Sequence, residues 1–215
     1  MPESPIRVAM CDDHDMVRSA LAMVLDREPD IEIVAAVATG AELLDLAQRS
    51  NLDVAILDVR LKDESGVEVA QRLRVDHPDC SVIMLTSFES DSALVSAYEA
   101  GISAFLFKTG NADELVSAVR SAAMGLRLIN PVAVRDALAR IRTNGAELVE
   151  KLDDTDRRIL RLLADGQSDK QIAESVFLNV QTVRNRVSRL LNRFGKENRT
   201  QLAVFVARVL PEASD

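Results

Sequence analysis

Tryptophan is absent, tyrosine occurs once, and six phenylalanines complete an aromatic share of 3% over 215 residues. So few rings exclude a protein that holds single-stranded nucleic acid by stacking bases on aromatic platforms. Only two cysteines occur, Cys11 and Cys80, each inside an apolar segment. This excludes a disulfide scaffold and a cysteine zinc site, and it fits a reducing compartment. No apolar run approaches the roughly 20 residues of a membrane span. The N-terminus has no basic start followed by a long apolar stretch, so no secretion signal is expected. A soluble, cytoplasmic protein is the expectation. The apolar share of 47% is ample for a core and rules out wholesale disorder. The length suits one large domain or two small ones.

What the chain does have is unevenly placed charge. The net charge is −8, yet residues 1–127 hold 22 acidic and 11 basic side chains, while residues 150–215 hold 10 and 12. Within 179–199 six bases (Arg184, Arg186, Arg189, Arg193, Lys196 and Arg199) face Glu197 alone. An acidic front and a locally basic back point to two domains with different partners.

Short runs rich in Val, Ile, Leu and Phe at 6–10, 31–38, 54–57, 81–85 and 104–107 have the length of buried strands. Between them, 17–25, 41–47, 67–75 and 94–100 space apolar residues as helices do. The alternation predicts a parallel sheet covered by helices on both faces, closed by a helix over 112–124 capped by Asn111. After Gly125 the strand signal stops. Asn130-Pro131 opens a helix over 132–141, and Thr143-Asn144-Gly145 reads as a turn and the flexible point of a linker. From Leu152 onward the pattern is helical: 155–164, 169–176, 180–194 and 201–210. Ser168, Asn179 and Thr200 serve as expected caps. The division is an α/β domain over 1–126, a linker with a helix over 127–149, and a four-helix domain over 150–215.

In an open parallel sheet, chemistry gathers beyond the carboxyl ends of the strands. This chain places Asp12 and Asp13, Asp58, Thr86 and Lys108 there. Converging carboxylates repel, and a hard divalent cation relieves that repulsion. Mg²⁺ takes a few carboxylate oxygens, a carbonyl and waters, and leaves room for a phosphoryl oxygen. Lysine and threonine supply a charge and a donor to the remaining phosphoryl oxygens. This order resembles the receiver domain of two-component response regulators over residues 5–125. The resemblance implies a doubly wound, flavodoxin-like sheet with Asp58 as phosphoacceptor. It implies Mg²⁺ on Asp13, Asp58 and the backbone carbonyl of Arg60, with Asp12 acting through water. Thr86 and Phe105 become a switch pair and Lys108 the phosphate partner; Arg60 and Phe88 would flank the phosphoryl group and slow its hydrolysis. Lys62 stands where receivers usually carry proline, and Thr109 follows the lysine where most have proline. Cys11 is expected to be a small apolar residue ending a buried strand rather than a redox switch.

On the helix over 180–194, Val183, Val187, Leu190 and Phe194 share one face. Gln181, Arg184, Asn185 and Ser188 lie opposite, with Thr182, Arg186, Arg189 and Arg193 on a third side. A dry face and a face of Gln, Arg and Asn suit the major groove. The preceding helix and the Phe177-Leu178-Asn179 turn give helix-turn-helix punctuation. Lys170-Gln171-Ile172-Ala173, Thr182-Val183-Arg184-Asn185 and Asn198-Arg199-Thr200-Gln201 make the block resemble the LuxR-type helix-turn-helix domain. Asp156 replaces a usual Glu, and Arg186 a usual His or Tyr. Receiver plus this domain is the arrangement of NarL/FixJ response regulators, and several stretches resemble the actinobacterial dormancy-regulator branch. The implied function is transcription regulation by phosphorylation on Asp58, with Mg²⁺, a sensor histidine kinase, RNA polymerase and a roughly palindromic double-stranded DNA site as partners. Leu202, Val206 and Val209 are expected to form part of a homodimer seam, with the core of their own helical bundle as the alternative. The alternative is a DNA-binding regulator that needs no phosphorylation and uses its receiver as a protein-interaction module. An enzyme is not expected.

Overall fold

The structure, a computed structural model, describes residues 4–87, 90–196 and 198–210. The chain divides into two units, Met1–Ala137 and Leu138–Asp215.

In the first unit the five apolar runs form one parallel sheet of order β2-β1-β3-β4-β5. The strands are β1 (Ile6–Cys11), β2 (Ile31–Val37), β3 (Val54–Asp58), β4 (Ser81–Thr86) and β5 (Ala104–Phe107). The central strand β3 is buried at every residue, as a strand covered on both faces must be. Helices α1 (Asp15–Leu25) and α5 (Ala112–Ala123) pack together on one side. Helices α2 (Gly40–Arg49), α3 (Gly66–Asp76) and α4 (Asp91–Glu99) pack in sequence on the other. Val8, Met10, Ile56, Ile83 and Leu85 meet Val116, Val119 and Ala122 of α5 in one apolar cluster. The doubly wound sheet expected from the alternation is therefore present. Its strand order reverses between β1 and β3, which opens a crevice at their carboxyl ends.

Helix α6 (Pro131–Glu150) corrects one expectation. Thr143-Asn144-Gly145 is not a turn, and the helix runs through it. The reason lies in packing rather than local propensity. Gly145 is buried, and a Cβ there would stand 2.4 Å from Val209 Cγ2 and 3.0 Å from Phe205 Cζ. Glycine lets the helix approach its neighbour, while Thr143 and Asn144 face solvent.

The second unit contains α7 (Asp154–Ala164), α8 (Asp169–Ser175), α9 (Val180–Arg193) and α10 (Arg199–Val209). Ile159, Leu160, Leu163, Ile172, Val183, Leu190, Leu202 and Val206 form its core. Ser168 and Asn179 cap α8 and α9 as expected. The cap of α10 is Asn198, whose side chain accepts from Gln201 N, rather than Thr200. Gly166 and Gly195 end α7 and α9 with φ of 77° and 59°.

Candidate functional site

The crevice in the first unit collects the residues expected there. Asp12 follows β1, Asp58 ends β3, Thr86 ends β4, and all three are buried. Lys108 follows β5, its backbone N–H donating to Thr86 O at 2.8 Å. Lys108 Nζ lies 2.5 Å from Asp12 Oδ2 and 2.6 Å from Asp58 Oδ2. Burial works against the ammonium, but hydrogen bonds to Asp12 and Asp58 outweigh it and hold its pKa above the ordinary lysine value. Phe105 is half-buried in β5 opposite Met84 of β4. Phe88 lies outside the described residues.

Local geometry fixes the carboxylates. Asp58 Oδ1 accepts from Arg60 N at 3.2 Å, and the chain then folds back so that Gly66 N donates to Val59 O at 3.0 Å. A Cβ on Gly66 would sit 1.8 Å from the Asp58 carbonyl oxygen, so only glycine permits this return. Glu64 Oε1 accepts from Gly40 N at 2.8 Å and ties the loop to the start of α2. Lys62 and Thr109, the two departures from the receiver pattern, are both exposed.

Asp12, Asp13, His14 and Asp58 each offer a ligand atom, and the four atoms lie within 4.8 Å of one another. Three carboxylates facing one lysine leave surplus negative charge, and oxygen donors of this kind suit a hard divalent cation. The residues present therefore fit such an ion. Two contributors escaped the sequence reading. His14 Nδ1 is 2.9 Å from Asp13 Oδ1, and Arg18 Nη1 donates to Asp12 O at 2.5 Å. The Asp-Asp-His run held a signal for His14, whereas Arg18 is recognisable only once α1 is placed beside the strand end.

Cys11 is 1% exposed, and burial with the charges of Glu64, Asp12, Glu42 and Asp58 pushes its thiol up to about 12. A thiol held so firmly protonated is a poor redox sensor.

In the second unit Val183, Val187, Leu190 and Phe194 face the core, as the helical spacing requires. Gln181, Arg184, Asn185, Ser188, Arg189 and Arg193 are exposed, and Thr182 and Arg186 are half-buried. Gln181 Nε2 donates to Asn185 Oδ1 at 3.1 Å. Arg186, read as part of the open basic surface, instead turns towards α7 and pairs with Asp156 at 2.6 Å. On α10 the seam reading gives way to its alternative, the bundle core. Leu202, Val206 and Val209 are 0%, 1% and 4% exposed and belong to the core of their own unit.

Among the described residues no helix is long and apolar enough to cross a membrane. Residues 8–120 match the family model described as "Response regulator receiver domain", and residues 150–206 match "Bacterial regulatory proteins, luxR family". The chain is 36% identical over 206 residues to the DNA-binding transcriptional activator DevR/DosR of Mycobacterium tuberculosis, covering 95% of each protein. It is 33% identical over 205 residues to the transcriptional regulatory protein LiaR of Bacillus subtilis, covering 94% of this chain and 97% of that protein. A solved structure, the response regulator ChrA of a heme-sensing two-component system, is 28% identical with a TM-score of 0.53, covering 96% of this chain and 98% of that one. With an acidic crevice at the sheet's switch point in the first unit and a helix-turn-helix unit later in the sequence, the chain belongs to the two-component response regulators, with a receiver domain and a LuxR-type DNA-binding domain.

Proposed function

We propose that Asp58 is the phosphoacceptor and that its phosphorylation controls dimerisation and sequence-specific binding to double-stranded DNA. The observation that carries this reading is the Asp58 carboxylate, buried at the end of β3 beside the Lys108 ammonium and the Asp12–Asp13 pair. A carboxylate oxygen of Asp58 attacks the phosphorus of a phosphorylated histidine on a cognate sensor kinase. The phosphorus–nitrogen bond breaks, its electron pair returns to the imidazole, and an acyl phosphate forms on Asp58.

Asp13, Asp58 and the backbone carbonyl of Arg60 would hold Mg²⁺, with Asp12 acting through water. Bound there, the ion neutralises charge on the phosphoryl oxygens. Lys108, already paired with Asp58, exchanges that carboxylate for a phosphoryl oxygen once the acyl phosphate exists. Thr86 at the end of β4 donates to another and couples to Phe105 as the switch pair. The transfer sets a switch, so the domain is not an enzyme in the ordinary sense.

The DNA-binding helix is α9, with Gln181, Thr182, Arg184, Asn185, Ser188, Arg189 and Arg193 as its DNA-binding set; Arg186, paired with Asp156 and Asp153, drops out of the contacting set. Two copies of the chain on a roughly palindromic site, in the cytoplasm and with RNA polymerase as partner, complete the reading. Incubation of the full chain with Mg²⁺ and acetyl phosphate tests it. Intact-mass measurement is expected to show one phosphoryl adduct on the wild type and none on Asp58→Asn, with unchanged helicity. An adduct mapped to any other residue would refute the assignment.

A further inference from the structure

Four arginines line α9 and Arg199 opens α10, and the structure sorts those paired with acidic groups into two kinds. Asp156, with a side chain only 5% exposed, holds two of them: Arg186 Nη1 at 2.6 Å and Arg189 Nη2 at 2.7 Å. Asp169 likewise holds two, Arg199 Nη1 at 2.6 Å and Arg184 Nε at 3.4 Å. Each acid thus has an inner and an outer partner. The inner ones, Arg186 and Arg199, are 26% and 37% exposed, whereas the outer ones, Arg189 and Arg184, are both 62% exposed. Arg186 also reaches Asp153 Oδ2 at 3.1 Å, and Arg199 Nη2 donates to the backbone carbonyl of Gln167.

The difference in partners decides which arginines can leave. If Arg189 swings to a phosphate, Asp156 keeps Arg186; if Arg184 does, Asp169 keeps Arg199. Losing Arg186 would take the arginine from Asp153 and leave the buried Asp156 dependent on the exposed Arg189 alone, and a buried charge short of partners is costly. Helix geometry gives the outer pair a matching place. At about 100° per residue, Arg184 and Arg189 flank a strip made of Ser188, Gln181 and Asn185, while Arg186 lies beyond Arg189 on the α7 side.

We propose that Asp156 and Asp169 act as stand-ins for DNA phosphates. Each keeps its inner arginine permanently and releases its outer arginine to the backbone on one side of the groove. Arg186 and Arg199 are then positioning residues that fix the angle at which the Gln181–Asn185–Ser188 strip meets the bases. The carboxylates hold Arg184 and Arg189 extended before DNA arrives, so little side-chain freedom is lost on binding. This rests on DNA binding through α9.

The test uses the full chain and a duplex selected by the wild type from a random pool, with affinity measured across a salt series. Failure of the wild type to select any duplex would overturn the DNA-binding reading and this inference with it. Each phosphate contact contributes about 0.9 to the slope of log affinity against log salt. Arg184→Met and Arg189→Met are each expected to reduce the slope by about that amount. Arg186→Met and Arg199→Met are expected to leave the slope unchanged while narrowing the affinity ratio between the selected duplex and a scrambled one. Because Arg186→Met leaves a buried carboxylate short of a partner, the double variant Asp156→Asn/Arg186→Gln serves as a folded control with the same expected slope. A reduced slope in that double variant, or unchanged slopes for Arg184→Met and Arg189→Met, would overturn the inference.

Discussion

At the scale of single residues, burial sets the chemistry of the groups around the crevice. Cys11 and Cys80 are 1% and 2% exposed, and burial, reinforced by nearby carboxylates, pushes both thiols from an ordinary 9.0 up to about 12. Below pH 9 both states of the protein carry protonated thiols. Above it the unfolded chain ionises first and binds fewer protons, so stability falls as pH rises, by about 1.4 kcal/mol per pH unit for each thiol. Urea midpoints measured from about pH 8 to about pH 11 are expected to fall, and Cys11→Ala or Cys80→Ala to flatten the decline. An equally steep decline in both variants would assign it to other groups. Lys108 shows the opposite balance, since its partners Asp12 and Asp58 outweigh its burial. Removing it as Lys108→Met leaves two buried carboxylates unmatched, and the expected outcome is tighter Mg²⁺ binding with slower phosphorylation. Unchanged Mg²⁺ affinity in a titration would show that Lys108 and the cation do not share the same charge.

At the scale of elements, a pattern is legible when one segment contains its own cause. The five strands announce themselves as apolar runs between turns, and the caps Asn111, Ser168 and Asn179 sit directly beside the helices they begin. Asp12, Asp13, Asp58, Thr86 and Lys108 were legible together because each closes a recognisable strand. Helix α6 and the ends of Arg186 were not, because their causes lie far along the chain. Gly145 reads locally as a turn residue until Val209 is placed against it, and Arg186 reads as open basic surface until Asp156 is. Substitution at Gly145 separates the two influences. Alanine gains about 1 kcal/mol in helix propensity, but its methyl would meet the stiff, buried Val209 at 2.4 Å. Overpacking costs roughly 1–3 kcal/mol, so Gly145→Ala is expected to lower stability by about 1 kcal/mol. Asn144→Ala, on the exposed face, is expected to raise it by a few tenths. Stabilisation by both would return Gly145 to a purely local role. Val206, 1% exposed, gives a harsher case: Val206→Asp is expected to unfold the second unit, by more than about 4 kcal/mol, rather than to separate folded protomers. Circular dichroism that keeps full helicity would contradict that.

At the scale of the whole molecule, the charge division frames what phosphorylation must accomplish. Residues 1–127 carry twice as many acidic as basic side chains, while the basic surplus sits in the second unit, much of it on α9. DNA attracts only the latter, and a single α9 supplies few phosphate contacts. Part of its charge is committed internally, since Asp153, Asp156 and Asp169 hold Arg186, Arg189 and Arg184. One copy is therefore expected to bind weakly and to depend on a second for useful affinity over non-specific sites. The second copy converts a bimolecular event into an intramolecular one, and linkage of this kind can raise avidity by about 10²–10⁴ without any new base contact. If phosphorylation at Asp58 controls that pairing, its effect depends on how many half-sites the DNA presents. With beryllofluoride and Mg²⁺ as the phosphoryl mimic, affinity for a duplex with two half-sites is expected to rise at least about tenfold. Affinity for a duplex with one half-site is expected to stay within about twofold, because its α9 contacts are the same in either state. Asp58→Ala is expected to show neither change. An equal rise on both duplexes would place the effect within one copy, at the presentation of α9. A wild type that binds the two-half-site duplex equally well with and without the mimic would instead support a regulator whose receiver serves as a fixed interaction module.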